Sequence, residues 1–357
     1  MLLVSSNGAG MGHLTRLLAY ARRLPAQTRA HVLSLSQAAP AVSRLGLTWE
    51  YLPSQGASGM RPASWRKVWA ERVTEILGRV DPDVLVFDGT HPYAGLDQAL
   101  ASHPRTRSVW SRRGLWKPGR NGDQLAKSAW FDLVLEPGDL ASAIDRGASS
   151  TATGHQAGHR VRPVTLLDRE ELSDRATART ALGLPPDEPL ALISLGAGNI
   201  NSTEDEVGAA AAALRAHGIG VCVTAPAIAH RAYAGSGVHL VRHFPLSQHL
   251  HAFDYCIAAS GYNSFHESLR FGLPTILVPN TATALDDQWG RAARAAEAGW
   301  ALTTDSLVRS PGRGSDLVGQ LVQRGADLAR TAQDADPGNG AKDAADAIAA
   351  VAHLEVA

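Results

Sequence analysis

His13 ends a closely spaced run of glycines, Asn7-Gly8-Ala9-Gly10-Met11-Gly12-His13. Glycines let backbone N–H groups approach an anion, and a helix starting there adds partial positive charge. The imidazole titrates near neutral pH, so His13 suits a general base, or alternatively a hydrogen bond to phosphate. Asp88 and His91, either side of Gly89-Thr90, are second candidates for the base. The plain alternative for Asp88 is to cap a turn. A second glycine-rich run, Ser194-Leu195-Gly196-Ala197-Gly198-Asn199, holds the same place in the second half. Either run alone also reads as a tight turn. Two such runs, one per half, tell more than one.

The most specific segment is Ser260-Gly261-Tyr262-Asn263-Ser264-Phe265-His266-Glu267. Its first residues are small or polar and open a helix, offering N–H groups and hydroxyls to a phosphate. Glu267 lies one turn in, where a carboxylate can accept both hydroxyls of a ribose. Its ordinary role there would be capping or helix-dipole compensation. Asp286-Asp287-Gln288 follows a strand and a proline. Asp287 and Gln288 at a helix start suit either sugar hydroxyls or N-terminal capping.

Spacing excludes several chemistries. The first glycine run is followed by no acidic residue at the end of the second strand, which weighs against a nicotinamide site. No G-x-x-x-x-G-K-[ST] run occurs in the chain. Asp81-Pro82-Asp83 imitates a metal-binding D-x-D but precedes a strand and reads as a turn. No metal is expected. Cys222 and Cys256, the only two cysteines, sit in apolar runs and read as buried small hydrophobes.

The elements that must position these residues alternate. Strands are expected at Leu2–Ser6, His31–Ser36, Thr48–Leu52, Val84–Phe87, Thr106–Ser111 and Leu133–Glu136. A helix after the first glycine run puts Leu14, Leu17, Leu18, Ala21 and Leu24 on one face, and a second spans Trp65–Arg79. The second half repeats the theme. Its expected strands are Leu190–Leu195, Gly220–Thr224, His239–Arg242, Tyr255–Ala258, Thr275–Val278 and Ala301–Thr303. Its expected helices are Glu204–His217, Asn263–Phe271 and Asp287–Ala298. An alanine-rich helix, Ala341–Leu354, closes the chain. Such alternation implies an α/β protein with parallel sheets covered on both faces. We therefore expect two doubly wound, Rossmann-like domains facing a cleft, with ligands beyond the carboxyl ends of the strands. The expected division is 1–158, 159–340 and a terminal helix, 341–357, packing back on the first domain.

Composition limits the partners. The chain has 357 residues, 45% hydrophobic and 19% charged, with 34 Lys/Arg against 34 Asp/Glu. A neutral globular chain of this kind is no duplex-DNA clamp, and no nucleic-acid partner is expected. The neutrality hides a split, with basic residues in excess over 1–160 and acidic ones over 161–357. The N-terminus has no signal-peptide pattern, and no run approaches the roughly 20 apolar residues that span a bilayer. A cytoplasmic protein is expected, peripheral at the inner face of the plasma membrane if it meets a membrane at all.

The run from Ser260 to Gly299 resembles the nucleotide-sugar signature of MurG-like GT-B glycosyltransferases of the UDP-N-acetylglucosamine transferase type. It has a Ser-Gly loop, a Glu-bearing helix, Gly272-Leu273-Pro274, a strand ending in Pro279, and an acidic-Gln helix start before a closing glycine. Gly8-x-Gly10-x-Gly12-His13, continuing to Thr15-Arg16, resembles the N-terminal loop of the same family. Ser194-Leu195-Gly196-Ala197 resembles its second glycine loop. The resemblance implies a donor bound mainly by the C-terminal domain and an acceptor by the N-terminal one. By position, Glu267 would bind the ribose and Ser260, Gly261, Asn263 and Ser264 the diphosphate. Gly10, Gly12, Gly196, Gly198 and Asn199 would complete the donor site. Asp287 and Gln288 would hold the sugar, the backbone near Phe244 and Leu246 would border the base, and His13 would reach the reacting centre. Tyr262 and Asn263 stand where some members carry a basic residue.

The activity implied is inverting, metal-independent transfer of a hexose, an N-acetylhexosamine by resemblance, from a UDP-sugar co-substrate to an acceptor hydroxyl. No other cofactor is implied. Arg112, Arg113, Trp116 and Lys117 mark a cationic, tryptophan-rich stretch. It suits an anionic acceptor, a lipid-linked or cell-envelope glycan, or an anionic membrane surface. A solvated face with its tryptophans in the core is the plain alternative. Two rival functions share the architecture: a non-hydrolysing nucleotide-sugar epimerase and a catalytically silent GT-B-like partner protein.

Overall fold

The strands of this chain are short, apolar and bounded by glycine or polar turns, and in the computed structural model they form two parallel sheets, one per unit. The structure describes residues 1–6, 10–196, 203–225, 236–309 and 311–353. Unit one comprises Met1–Asp139, Asp145–Val164 and Asn339–Ala357, and unit two Leu140–Ile144 and Thr165–Gly338.

In unit one the order is β1 (Leu2–Ser5), α1 (Gly12–Ala21), β2 (His31–Ser34), β3 (Thr48–Tyr51), α2 (Gln55–Ser58) and α3 (Pro62–Val80), then β4 (Val84–Asp88), α4 (Leu96–Ala101), β5 (Arg107–Ser111), β6 (Leu133–Pro137) and β7 (His159–Val161). The sheet runs β3-β2-β1-β4-β5-β6-β7, so the chain reverses its direction of travel between β1 and β4. Every residue of β1 and β4 is buried, which is why these strands read as unbroken apolar runs. Register aligns Ser34, Ser5, Asp88 and Ser111 side by side at the carboxyl ends of four neighbouring strands.

Unit two contains α5 (Arg175–Leu182), β8 (Leu190–Ser194), α6 (Glu204–Arg215), β9 (Gly220–Thr224), β10 (Val238–Val241), β11 (Tyr255–Ala258), α7 (Tyr262–Arg270), β12 (Thr275–Leu277), α8 (Gln288–Glu297), β13 (Leu302–Thr303) and α9 (Pro311–Asp334). Its sheet runs β10-β9-β8-β11-β12-β13, with the same reversal between β8 and β11. Its main core lies between this sheet, α6 and α9, built on Ile193, Val221, Ile257, Ile276, Leu214 and Leu321.

The sequence missed α9, the longest helix. Gly312, Gly314, Gly319 and Gly325 interrupt its apolar period and lower its intrinsic helicity. Two of these glycines have a packing reason. A side chain at 325 would meet the Pro274 ring at 3.0 Å, and one at 319 would meet His217 at 3.2 Å. Helices α4 and α5 and strand β7 were also not anticipated. Because β7 completes the first sheet, the boundary falls after Val164 rather than at 158. Residues 140–144 pass to unit two, where Leu140 donates its N–H to His266 Nε2 (3.2 Å). The Asp81-Pro82-Asp83 segment is a helix end, with Asp81 closing α3 in a left-handed conformation (φ 42°).

The last helix, α10 (Ala341–Val351), buries Ala341, Ala344, Ala345, Ile348 and Val351 and packs against α1 and β4 to β7 of unit one. Its entry is tight: Gly340 donates to Pro163 O (2.9 Å), and a Cβ at 340 would run into the Arg162 backbone. The prediction is that Gly340→Ala costs about 1–3 kcal/mol, read as a lower midpoint in urea unfolding. An unchanged midpoint would show that the entry has room.

Candidate functional site

The polar row at the carboxyl ends of β2, β1, β4 and β5 is the floor of a site in unit one. Ligands of doubly wound sheets bind at the reversal of strand order, and α1 starts there. His13 is the second residue of that helix, so its backbone is fixed while its ring reaches β4. His13 Nδ1 lies 2.6 Å from Asp88 Oδ1. An ionised carboxylate only accepts, so Nδ1 carries the hydrogen and Nε2 keeps its lone pair. That arrangement is the tautomer of a base. Arg16, one turn further along α1, donates from Nε to Asp88 Oδ2 (3.0 Å) and from Nη2 to Oδ1 (2.5 Å). Ser111 Oγ donates to Oδ2 (2.8 Å), and Tyr20 OH lies 2.9 Å from Ser111 Oγ.

Burial pushes the Asp88 carboxyl upward, yet the Arg16 charge and the hydrogen bonds from His13 and Arg16 outweigh it and hold it below its ordinary value. Burial pushes His13 down against the pull of Asp88, with Arg16 and Arg113 adding to the fall. The ring is therefore neutral near pH 7, and 11% of its side chain stays accessible, enough for a substrate to reach. Asp88 itself is fully buried. Its carboxylate oxygens face His13, Arg16 and Ser111. His91 is half-buried, edge-on to Tyr93 at 5.7 Å and lowered by burial and by Lys127. Gly10 and Gly12 flank the start of α1, and a Cβ at either would meet nothing within 4 Å.

Sequence reasoning missed Ser111 and Tyr20 and gave Arg16 no role. The signal was present, since polar residues at the ends of otherwise apolar parallel strands have nowhere to face but the ligand side or each other.

The cationic, tryptophan-rich stretch is not a surface. Arg112 is fully buried, its guanidinium 5.2 Å from the Trp110 ring and 5.9 Å from the Trp116 ring, and it donates to Gln156 O. Trp116, Trp65 and Trp69 are core residues, the last two stacked at 5.9 Å. Arg113 and Lys117 are half-buried. The tryptophans of this stretch are therefore packed inside the unit, while Arg113 and Lys117 keep part of their surface accessible. Among the described residues, no helix is long and apolar enough to cross a membrane.

In unit two the candidate residues gather where β11 hands over to α7. Gly261 is the N-cap of α7 and has no side chain with which to close the first turn. Asn263 and Ser264 occupy its first turn, half-buried. Ser260 is committed elsewhere: its hydroxyl donates to Gln288 O (2.7 Å), and its carbonyl accepts from Arg291 Nη1 (2.6 Å). A hydroxyl has one proton, and a phosphate only accepts, so Ser260 braces the loop rather than binding the anion through its hydroxyl. Arg291 also holds Asp286 Oδ1 (3.0 Å). Asp287 accepts from Gly290 N (2.9 Å), which is N-terminal capping of α8. Gln288 is buried and its Oε1 accepts from Asn280 N (3.0 Å). The acidic-Gln triplet thus fastens α8 to α7.

Glu267 is half-buried, with its carboxyl group set deep among protein atoms; burial pushes it up to about 7 against a hydrogen bond from Ser247. Ser247 follows Phe244 and Leu246, both half-buried, so the segment proposed to border the base touches the proposed ribose acceptor. Ser247 was not anticipated. Gly196 leaves β8 with φ 95°, while Gly198 and Asn199 lie outside the described residues. Both cysteines are buried. Among the described residues, no group of three or more His, Cys, Asp or Glu could hold a metal ion.

Residues 229–348 match the glycosyltransferase family 28 C-terminal domain. No curated protein matches the chain. Among solved structures, the glycosyltransferase VinC in complex with DTDP has a TM-score of 0.65 at 19% identity, covering 99% of both chains. The spinosyn rhamnosyltransferase SpnG complexed with thymidine diphosphate has a TM-score of 0.64 at 16% identity, covering 98% of this chain and 99% of its own. MurG of Acinetobacter baumannii has a TM-score of 0.61 at 15% identity, with the same coverage.

The Glu267 carboxyl gives a prediction for this site. Ribose hydroxyls donate to a carboxylate, and Glu267 is protonated below about pH 7, so nucleoside diphosphate affinity should rise from pH 6 to pH 8 by up to about tenfold. In calorimetric titrations Glu267→Gln should flatten that rise; identical slopes in both proteins would remove Glu267 from the nucleotide site. Residues 229–348 thus match a glycosyltransferase family 28 C-terminal domain, and in fold the chain is similar to solved glycosyltransferases.

Proposed function

We propose that this enzyme transfers a hexose from a nucleoside diphosphate sugar to an acceptor hydroxyl, with inversion and without a metal ion. The observation that carries the reading is the His13–Asp88 pair, a neutral imidazole with Nδ1–H fixed and Nε2 available, at the strand-order reversal of unit one. Unit one would take the acceptor and unit two the donor.

In the reacting complex the acceptor O–H gives its proton to His13 Nε2 as the oxygen attacks the anomeric carbon. The bond from that carbon to the diphosphate oxygen breaks, and the diphosphate leaves with the electron pair. Asp88 stabilises the imidazolium that forms. The N-terminal end of α7 faces the developing negative charge. Glu267 accepts from the ribose, and the backbone at Phe244 and Leu246 lies beside the base. The brace of Ser260, Asp286, Gln288 and Arg291 holds the start of α7 in place.

The resemblance around Ser260–Gly299 favours uridine and an N-acetylhexosamine, while VinC and SpnG are complexes of thymidine diphosphate. Both are pyrimidine nucleotides, and a base bordered by backbone fits either. Thermal shift with UDP and TDP, followed by transfer assays with their hexoses, separates them. Binding of neither would defeat the reading. His13→Ala should lower kcat by about 10²–10⁴-fold while leaving donor affinity near its native value. Unchanged turnover would take the base role from His13, and donor consumption without any acceptor would favour the epimerase reading.

A further inference from the structure

A buried carboxylate requires one compensating charge, and the surroundings of Asp88 offer two sources. The first is Arg16, which holds both carboxylate oxygens. The second is His13, which would have to take a proton to serve. A protonated His13 is useless as a base. Arg16 Nη2 also stands 2.9 Å from His13 Nδ1, so an imidazolium would face a guanidinium at contact distance. The guanidinium is charged at every working pH. With Arg16 in place, the triad of His13, Asp88 and Arg16 is neutral when His13 is neutral. It acquires a net buried charge only when His13 is protonated, which burial opposes.

We infer that Arg16 is a positioning residue that serves as the permanent counter-ion of Asp88, and so keeps His13 unprotonated and ready to accept a proton. This rests on the proposed base role of His13. The surrounding groups are consistent with it. Asp88 reaches His13 from β4, and Arg113 from beyond β5 acts with the same sign as Arg16. His91, after β4, lies within electrostatic reach. On the other side of α1, α10 pairs Lys342 with Asp346 and Asp343 with Arg162, leaving these charges to one another. Ser111 adds a neutral donor on Asp88 and no charge. In unit one, Arg16 is therefore the cation bonded directly to Asp88 among the described residues.

The test compares the native enzyme, Arg16→Met, Arg16→Lys and the double variant Arg16→Met/Asp88→Asn. The His13 ring signal is followed by NMR from pH 5 to 9, alongside the acid limb of kcat/KM. In Arg16→Met, His13 should take over as counter-ion, raising its midpoint and the acid limb by at least about one pH unit. For each unit of that rise, activity would then fall by up to about tenfold more at pH 6 than at pH 8. Arg16→Lys restores the charge and should return the midpoint toward the native one. The double variant removes both charges and should lower the His13 midpoint again, even if its activity is poor. An unmoved midpoint in a folded Arg16→Met overturns the inference, as does a loss of activity equal at every pH. The NMR midpoint reads the counter-ion role without any transfer reaction. If His13 titrates as described but His13→Ala keeps its turnover, the base assignment has failed and the counter-ion role stands.

Discussion

One buried negative charge organises the first unit. Asp88 sits at the end of a fully buried strand, away from water, with four donors on its two oxygens. Taking one partner from a buried ion pair costs on the order of 3–5 kcal/mol, so the sequence around it is constrained from several directions. β4 must end in an acid, β5 must end in a small hydroxyl, and α1 must carry His13 and Arg16 one turn apart on the face toward the sheet. The site chemistry follows, because the same carboxylate that needs Arg16 also fixes the His13 tautomer.

The second unit solves a different problem. In the proposed reading its ligand end is a helix terminus, which supplies partial charge only if the helix is held still. Ser260, Asp286, Gln288 and Arg291 do that holding through hydrogen bonds that join the starts of α7 and α8. Glu267 stands apart from the brace, its carboxyl raised by burial and touched by Ser247. Its ionisation lies near neutrality, which fits a group that awaits hydroxyl donors rather than one that supports the fold.

Much of this was legible in the sequence because parallel strands buried on both faces write themselves as apolar runs, and Tyr255–Ala258 and Gly220–Thr224 lie where the sequence puts them. The site was partly legible too: His13, Asp88 and Glu267 stand out as ionisable residues beside glycine loops. What sequence spacing could not show was partnership. Ser260, Asp287 and Gln288 are the right residue types for a sugar nucleotide, but part of their hydrogen bonding goes to the backbone, from Ser260 Oγ to Gln288 O and at Asp287 Oδ1 and Gln288 Oε1 from Gly290 N and Asn280 N. Arg112 and Trp116 look like a cationic aromatic surface because composition does not reveal which way a side chain points, and the cation–π contacts of Arg112 draw it inward. Helix α9 escaped because four glycines interrupt its apolar period, two of them serving close packing against Pro274 and His217.

The protonation state of one ring decides whether unit one can supply a base. Nitrogen chemical shifts of the His13 imidazole, recorded on the native enzyme at neutral pH, report it directly. The structure predicts a neutral ring with the hydrogen on Nδ1 and a bare Nε2. A hydrogen on Nε2 with a bare Nδ1, or a ring protonated at both nitrogens, would contradict it.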